Sequence, residues 1–346
     1  MGHVDGLLAG RAHAATWTIS GTTRFGRDWS AARLARRAGD AGVRRRHATL
    51  VARERRVQRP GMSEASDVQV PSVILGERRG PFEGRLTADL IRRYAEATRD
   101  PNPGPVAGAV VPPAAIVTQV WEAQQAGFGS LVSEEVRDTM TSGVHGEHDI
   151  VLHRPIEPGE RLRTWVEGQS SRRGGRHNLI TLRYVTYDDH DAAVAEQWWT
   201  TVMLNASGEP VGKAAPGHAF PEEARAHPAG TYRITVDEEM PRRYAEVSGD
   251  WSVHHFDDEF ARRNGFERRF LHGLCTLGLC AQGIVSLAGV ASPARIRRLA
   301  VRFAAPTYVG DDLDVHLYEA GAGTYAFEAD AGGSAVIRNG LAVLDP

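Results

Sequence analysis

The sequence predicts an α+β protein in which one unit is used twice, each unit a long apolar helix wrapped by an antiparallel sheet. Three observations carry this. Arg92-Arg93-Tyr94-Ala95-Glu96 returns 150 residues later as Arg242-Arg243-Tyr244-Ala245-Glu246, and each copy is followed at the same distance by an aspartate, Asp100 and Asp250. Pro155, Gly159, Glu160 and Leu162 return at a spacing of 151 as Pro306, Gly310, Asp311 and Leu313. A match held from end to end of so long a unit marks two similar domains and not a short-period solenoid. In both copies, finally, helical periodicity comes first and a series of strand-like runs follows.

Taken in order, residues 72–84 are a lead-in without clear pattern. Residues 87–96 read as a short helix, with Thr87 as cap and Leu90, Ile91, Tyr94 and Ala95 on one face. Pro101-Asn102-Pro103-Gly104-Pro105 breaks it. Residues 114–126 read as a longer apolar helix, since Pro112 and Pro113 stand where a first turn tolerates proline. Strands are expected at 148–152, 162–168, 178–187 and 193–204, the last containing Trp198-Trp199-Thr200-Thr201-Val202, a strong β segment. Residues 206–229, rich in Gly, Pro, Ala and charge, read as a linker. The pattern then restarts with a strand at 232–236 and a short helix at 240–246. A second short helix, 256–263, is stopped by Gly265. The long helix 273–287 has small residues, Gly278, Ala281 and Gly283, that permit close packing. Strands are expected at 295–303, 313–319, 324–329 and 334–344, and Gly321-Ala322-Gly323-Thr324 reads as a hairpin turn, not a dinucleotide fingerprint. Gly273 follows Asp250 by 23 positions, whereas Pro113 follows Asp100 by 13, so the second copy has room for an extra helix. The expected organisation is a basic extension over 1–65, an N-terminal domain over 70–205, the linker over 206–229 and a C-terminal domain over 230–346.

The 346-residue chain has a formal net charge of −2, which implies neither nucleic acid nor an anionic membrane as partner. No apolar run approaches the ~20 residues that span a bilayer. Residues 1–62 carry thirteen arginines against Asp5, Asp28, Asp40 and Glu54, leaving −11 for the remainder. Three readings of this head compete: an anion-binding segment, a transit peptide, or an extension outside the fold with Met62 as the true start. The last is preferred because the head lacks pattern. Lys213 is the only lysine, a bias that carries no functional argument. Cys275 and Cys280 would lie 140° apart around a helix, too divergent to bridge. A reducing, cytoplasmic setting is the simplest expectation.

The two copies differ where chemistry is possible. The second reads Asp250-Trp251-Ser252-Val253-His254-His255; the first reads Asp100-Pro101-Asn102-Pro103-Gly104-Pro105, and proline cannot move a proton. Ser248-Gly249-Asp250…His255, joined to His272-Gly273-Leu274-Cys275-Thr276, resembles the MaoC-like hydratase/dehydratase family of hotdog-fold thioester enzymes. The likeness is to the (R)-specific enoyl-CoA hydratase type, whose signature is Ser-Gly-Asp-x-Asn-Pro-[Leu/Ile/Val]-His followed by His-Gly-Leu-Cys-Thr. It covers residues 70–346 and is specific in the second half. The resemblance implies a double hotdog in which one half is catalytic and the other shapes an acyl tunnel. It implies Asp250 and His255 as an acid/base dyad, with the Gly273 N–H receiving the thioester oxygen. Ser252, His272, Leu274 and Thr276 are expected to contact substrate. No cofactor and no metal are implied. The partner is an acyl-CoA or acyl-carrier-protein thioester, and the protein is expected as a homodimer or a pseudo-dimeric monomer. Two departures stand out: Ser252-Val253 replaces Asn-Pro, and His254 stands where an aliphatic residue is usual.

The residue types suit the chemistry. Hydrating a trans-2-enoyl thioester needs a base for water, an acid for the α-carbon and a donor for the enolate-like oxygen; a carboxylate and an imidazole can hold one water and exchange those roles. A helix start with glycine offers unpaired N–H groups and close approach. Plainer roles are expected for His254 (structural or surface), Tyr244 (core) and Asp100 (a remnant cap). His272 is also expected to fix a turn. His145, His148, Asp149 and His153 lack the i, i+4 spacing of a helical zinc site. No Gly-x-Ser-x-Gly elbow or P-loop is present. The rival readings are a hotdog thioesterase and a non-catalytic acyl-thioester binder.

Overall fold

Thr87 opens the first helix: its hydroxyl accepts the Leu90 N–H at 3.2 Å, and helix α1 (Ala88–Ala97) buries Ile91, Tyr94, Ala95 and Ala97. The computed structural model describes residues 72–139, 142–206 and 208–345; the head expected over 1–65, with Met62, lies outside the described residues. The first half continues, after strand β1 (Arg78–Gly84) and α1, with helices α2 (Pro103–Val106), α3 (Val117–Leu131) and α4 (Glu134–Thr139) and strands β2 (Ser142–Leu152), β3 (Leu162–Gly174), β4 (His177–Tyr187) and β5 (Ala193–Leu204). A two-residue strand β6 (Val211–Gly212) leads to the second half: β7 (Pro228–Thr235), helices α5 (Met240–Ser248), α6 (Asp258–Arg263) and α7 (Gly273–Leu287), and strands β8 (Ile296–Phe303), β9 (Asp312–Gly321), β10 (Thr324–Ala331) and β11 (Ser334–Leu344).

The sequence repeat is also a repeat of topology. One antiparallel sheet runs β1-β3-β4-β5-β2-β8-β11-β10-β9-β7, with β6 attached to β3. From either outer edge inward the strand order is the same, β1-β3-β4-β5-β2 in one half and β7-β9-β10-β11-β8 in the other. The halves meet where β2 pairs with β8, and in that register Asp149 lies opposite Ala300. Those two residues are 151 apart, the spacing of the repeat, so a local two-fold passes between a residue and its own counterpart. Charge fastens this seam. Arg298 grips Asp149 through two hydrogen bonds of 3.1 and 2.7 Å, and Glu147 takes Arg302 and Arg172.

Helix α7 is apolar on nearly every face, and its residues Leu274 to Val285 are all buried, as a helix wrapped by a sheet must be. Full burial of a Leu or Ile such as Leu277, Leu279 or Ile284 contributes roughly 1.5–3 kcal/mol each. Close packing needs its glycines. A Cβ on Gly283 would stand 3.2 Å from Tyr232 of β7, and one on Gly278 would stand 2.6 Å from the Tyr94 hydroxyl.

Several boundaries move. Pro113–Ile116 form a 3-10 turn and α3 begins only at Val117, running on to Leu131; consecutive prolines remove two N–H donors at the start and favour the tighter turn. β3 continues to Gly174 through a register shift at Gly168, where any side chain would collide with the Ile74 carbonyl. The segment expected as a linker touches the sheet: Val211 and Gly212 pair with Ser171 and Ser170, Phe220 and Ala224 pack on Ala326, and β7 begins at Pro228. The extra length after Asp250 is used by α6, capped by Asp257.

Candidate active site

Helix α5 ends at Gly249, whose φ of +81° places it in the left-handed region; its N–H closes on the Ala245 carbonyl at 2.9 Å. The reversal sends the next residue, Asp250, out of the helix. There is little room behind it, since a Cβ on Gly249 would lie 3.3 Å from the Trp121 ring of α3. Asp250 folds the following residues over itself. Its Oδ1 accepts the Ser252 N–H at 3.1 Å and the Ser252 hydroxyl at 2.6 Å. A single 3-10 turn, Val253–His255, then brings His255 round.

His255 is 5% exposed, and its Nδ1 donates to the Phe270 carbonyl at 2.8 Å. That bond fixes the tautomer and leaves the lone pair on Nε2. With Oδ1 held by Ser252, the remaining oxygen of Asp250, Oδ2, lies 3.9 Å from His255 Nε2. The gap is too long for a direct hydrogen bond and short enough for one water to touch both atoms.

His272 ties this pair to the central helix. It is the residue before α7, and its Nε2 donates to the Asp250 carbonyl at 2.9 Å. Its ring lies over that of His255 with centroids 3.7 Å apart, while its Nδ1 is buried without a partner among the described residues. Gly273 follows as the first residue of α7, where N–H groups have no intrahelical acceptor. Phe303 packs against it, 3.2 Å from where a Cβ would stand. Leu274 is in the hydrophobic core. Thr276 is buried, with its hydroxyl donated to Thr307 Oγ1 at 3.2 Å and near the His272 carbonyl at 3.3 Å.

Asp250, Ser252, His255 and His272 thus converge, with Gly273 the next residue after His272, while Leu274 packs into the core and Thr276 is turned toward Thr307. Sequence reasoning gave no active-site part to His254, whose Nε2 lies 3.1 Å from His255 Nε2. The signal was present as consecutive histidines, but only the 3-10 turn brings adjacent side chains to one point. Burial is the main cause of the titration shifts here. It drives His255 well below the usual imidazole range, helped by the neighbouring His272 and His254. It lowers His272 against the opposing pull of Asp250, and it takes His254 down to about 4. All three imidazoles are neutral at pH 7. Asp250, His255 and His272 also bring one ligand-capable atom each within 4.8 Å of one another, a donor set suited to a transition metal. The sequence itself implies no metal, since neither the two cysteines nor the segment 145–153 has ligand spacing.

The residues of that segment disperse. His148 bonds Gln197 and His145, His145 stacks on Trp199 at 4.0 Å, Asp149 joins the seam and His153 meets Glu196. In the first half Asp100 repeats the turn of Asp250, its Oδ1 accepting the N–H and side-chain amide of Asn102 at 2.9 and 2.7 Å. The position matching His255 is the buried Pro105. Beside Asp100 is a cavity of about 10 Å³, bounded by Tyr94, Pro113, Gly278 and Gln282; it has room for one water. A more open cavity of about 270 Å³ is lined by Arg78, Arg163, Trp165, Tyr187 and Asp191 and by none of the residues around Asp250.

Residues 220–331 match the model of the MaoC like domain. The chain is 28% identical over 194 residues to 3-hydroxyacyl-thioester dehydratase Y of Mycobacterium tuberculosis, covering 55% of this chain and 67% of that protein. It is 24% identical over 188 residues to the peroxisomal enoyl-CoA hydratase 2 of Arabidopsis thaliana, covering 51% of this chain and 59% of that one, so it spans less than two thirds of the latter. Among solved structures, one described as a MaoC-like dehydratase superposes with a TM-score of 0.66 at 21% identity, over 78% of this chain and 98% of that chain. The shared architecture is the double hotdog.

Proposed function

We propose that this chain, whose residues 220–331 are a MaoC-like domain, reversibly hydrates trans-2-enoyl thioesters to (R)-3-hydroxyacyl thioesters. One observation carries the reading: Asp250 Oδ2 and the lone-pair nitrogen Nε2 of His255 face each other at 3.9 Å, the other polar atom of each being held by Ser252 and Phe270, and the His254 ring at 3.1 Å from Nε2 gives way to water. A water between them is oriented by both. In hydration an O–H bond of that water breaks, its oxygen bonds C3 and a proton is delivered to C2, so no oxidant or reductant is needed. Neutral His255 accepts one proton of the attacking water and passes it on to C2, while Asp250 accepts the water's other O–H and so aims its oxygen at C3; dehydration runs the same path backwards. Negative charge gathers on the thioester oxygen, and in this reading the Gly273 N–H at the start of α7 is the donor that meets it, with the positive end of the helix behind it. Names of relatives support the substrate class, an acyl thioester.

The two halves supply in one chain the paired hotdogs that separate subunits would otherwise provide, and two unbridged buried thiols suit a reducing, cytoplasmic compartment. Among the described residues no helix is long and apolar enough to cross a membrane. The test is a stereospecific hydration assay with enoyl-CoA and enoyl-carrier-protein substrates of graded length. Asp250→Asn and His255→Ala should each lose at least 100-fold in turnover with unchanged thermal unfolding. Near-normal turnover in both variants, or release of free thiol in place of hydration, refutes the assignment.

A further inference from the structure

We propose that His254 is a positioning residue that caps the catalytic base, its ring N–H occupying the lone pair of His255 until water and substrate displace it. The inference rests on the proposed hydratase reading for its kinetic consequence, but its geometry stands alone. His255 Nδ1 donates to the Phe270 carbonyl, so its Nε2 can only accept while the ring is neutral. His254 Nε2 lies 3.1 Å away, which requires His254 to carry the proton in that contact. The cap is held from the other side by Phe270, on whose ring His254 stacks at 4.9 Å and 9°. It is also able to leave, because His254 is only half-buried and its neighbour Val253 is exposed. An aliphatic residue, which the resembled motif carries at this place, has no such proton to give.

The other groups around His255 do not explain the arrangement. Asp250, from the loop after α5, is 3.9 Å from Nε2, beyond direct hydrogen-bond reach. His272, at the start of α7, stacks on His255 and opposes a charge there. Tyr244 of α5 touches His272, and Phe256 meets the His255 ring edge-on. With its ring N–H directed at the His255 lone pair, His254 acts as a hydrogen-bond donor. A donor on the lone pair stabilises the neutral base and lowers its affinity for a proton.

The experiment compares the full-length wild type with His254→Leu and His254→Gln by two readouts. The first is the pH profile of kcat/KM for crotonyl-CoA hydration; the second is the ¹⁵N shift of His255 Nε2 in the substrate-free protein. In His254→Leu the acid limb should rise by about 0.5–1 pH unit, the worth of one net hydrogen bond, and the Nε2 resonance should move to that of an unbonded acceptor. His254→Gln, whose amide can donate, should restore both toward wild type. The proposal is overturned if the Nε2 shift is unchanged in His254→Leu, or if the limb moves equally in the Leu and Gln variants. Absence of hydration in every protein, with the ¹⁵N change intact, would instead sink the hydratase reading and leave the cap standing.

Discussion

Removing one side of the seam between the halves should cost more than any single surface contact. Asp149 is 2% exposed on β2 and receives two guanidinium hydrogen bonds, of 3.1 and 2.7 Å, from Arg298 on β8. Asp149→Ala leaves the guanidinium without its carboxylate against a sheet interior. Breaking a buried pair from one side costs roughly 3–5 kcal/mol. Because the Arg298 side chain keeps 23% of its surface in water and also reaches the Gly217 carbonyl at 3.0 Å, the lower end applies, about 3 kcal/mol. Arg298→Met should cost a similar amount by stranding the carboxylate. The double variant, with neither charge buried, should recover at least half of the summed loss. Equilibrium urea unfolding of the four proteins measures this cycle. Additive losses, or a loss below 1 kcal/mol in Asp149→Ala, would refute the argument that this ion pair fastens the halves.

Other outcomes follow from single sites. His148 is buried with its affinity for protons lowered to about 4 by burial. Its folded value lies below the unfolded ~6.5, so the unfolded chain binds more protons between those values. Stability is then full above pH 6.5 and is lost as pH falls, by about 2 kcal/mol for this residue at pH 5; denaturation curves that coincide at pH 7.5 and 5 would contradict it. Asp100→Asn should leave hydration within two-fold, since Pro105 offers no base beside it, and a ten-fold loss in the assay would overturn the idea of an inert first half. Gly278→Ala places a methyl 2.6 Å from the Tyr94 hydroxyl. Overpacking of ~1–3 kcal/mol, offset by up to ~1 kcal/mol of helix propensity, predicts a net loss of about 1 kcal/mol in thermal unfolding.

The paired fold was legible because the repeat spans whole units: Tyr94 and Tyr244 mark equivalent helices, and the later Pro–Gly–Leu repeat marks equivalent strands. Alternating patterns found the strands but not their ends. Gln169 to Arg173 look like a polar loop, yet Ser170 to Arg173 pair in a hairpin with β4 because a bulge between Gly168 and Ser170 realigns them. The proline pair suggests an α-helical start at 114, whereas two missing donors give a 3-10 turn first. In the site, Asp250 and His255 stood out by spacing and resemblance. His254 did not, since whether two adjacent histidines converge depends on a turn type set by the Asp250 and Ser252 hydrogen bonds. The motif groups Thr276 with the substrate contacts; its hydroxyl is already engaged with Thr307, in the loop between β8 and β9, a partner invisible in the helix's own pattern.

His272 sits at the mechanical centre of this arrangement. One ring nitrogen holds the peptide oxygen of Asp250, while its own backbone leads directly into Gly273. Carboxylate and helix tip are therefore coupled like two jaws on a common pivot. A shift of the α7 start is transmitted through that one imidazole to the loop that carries Asp250.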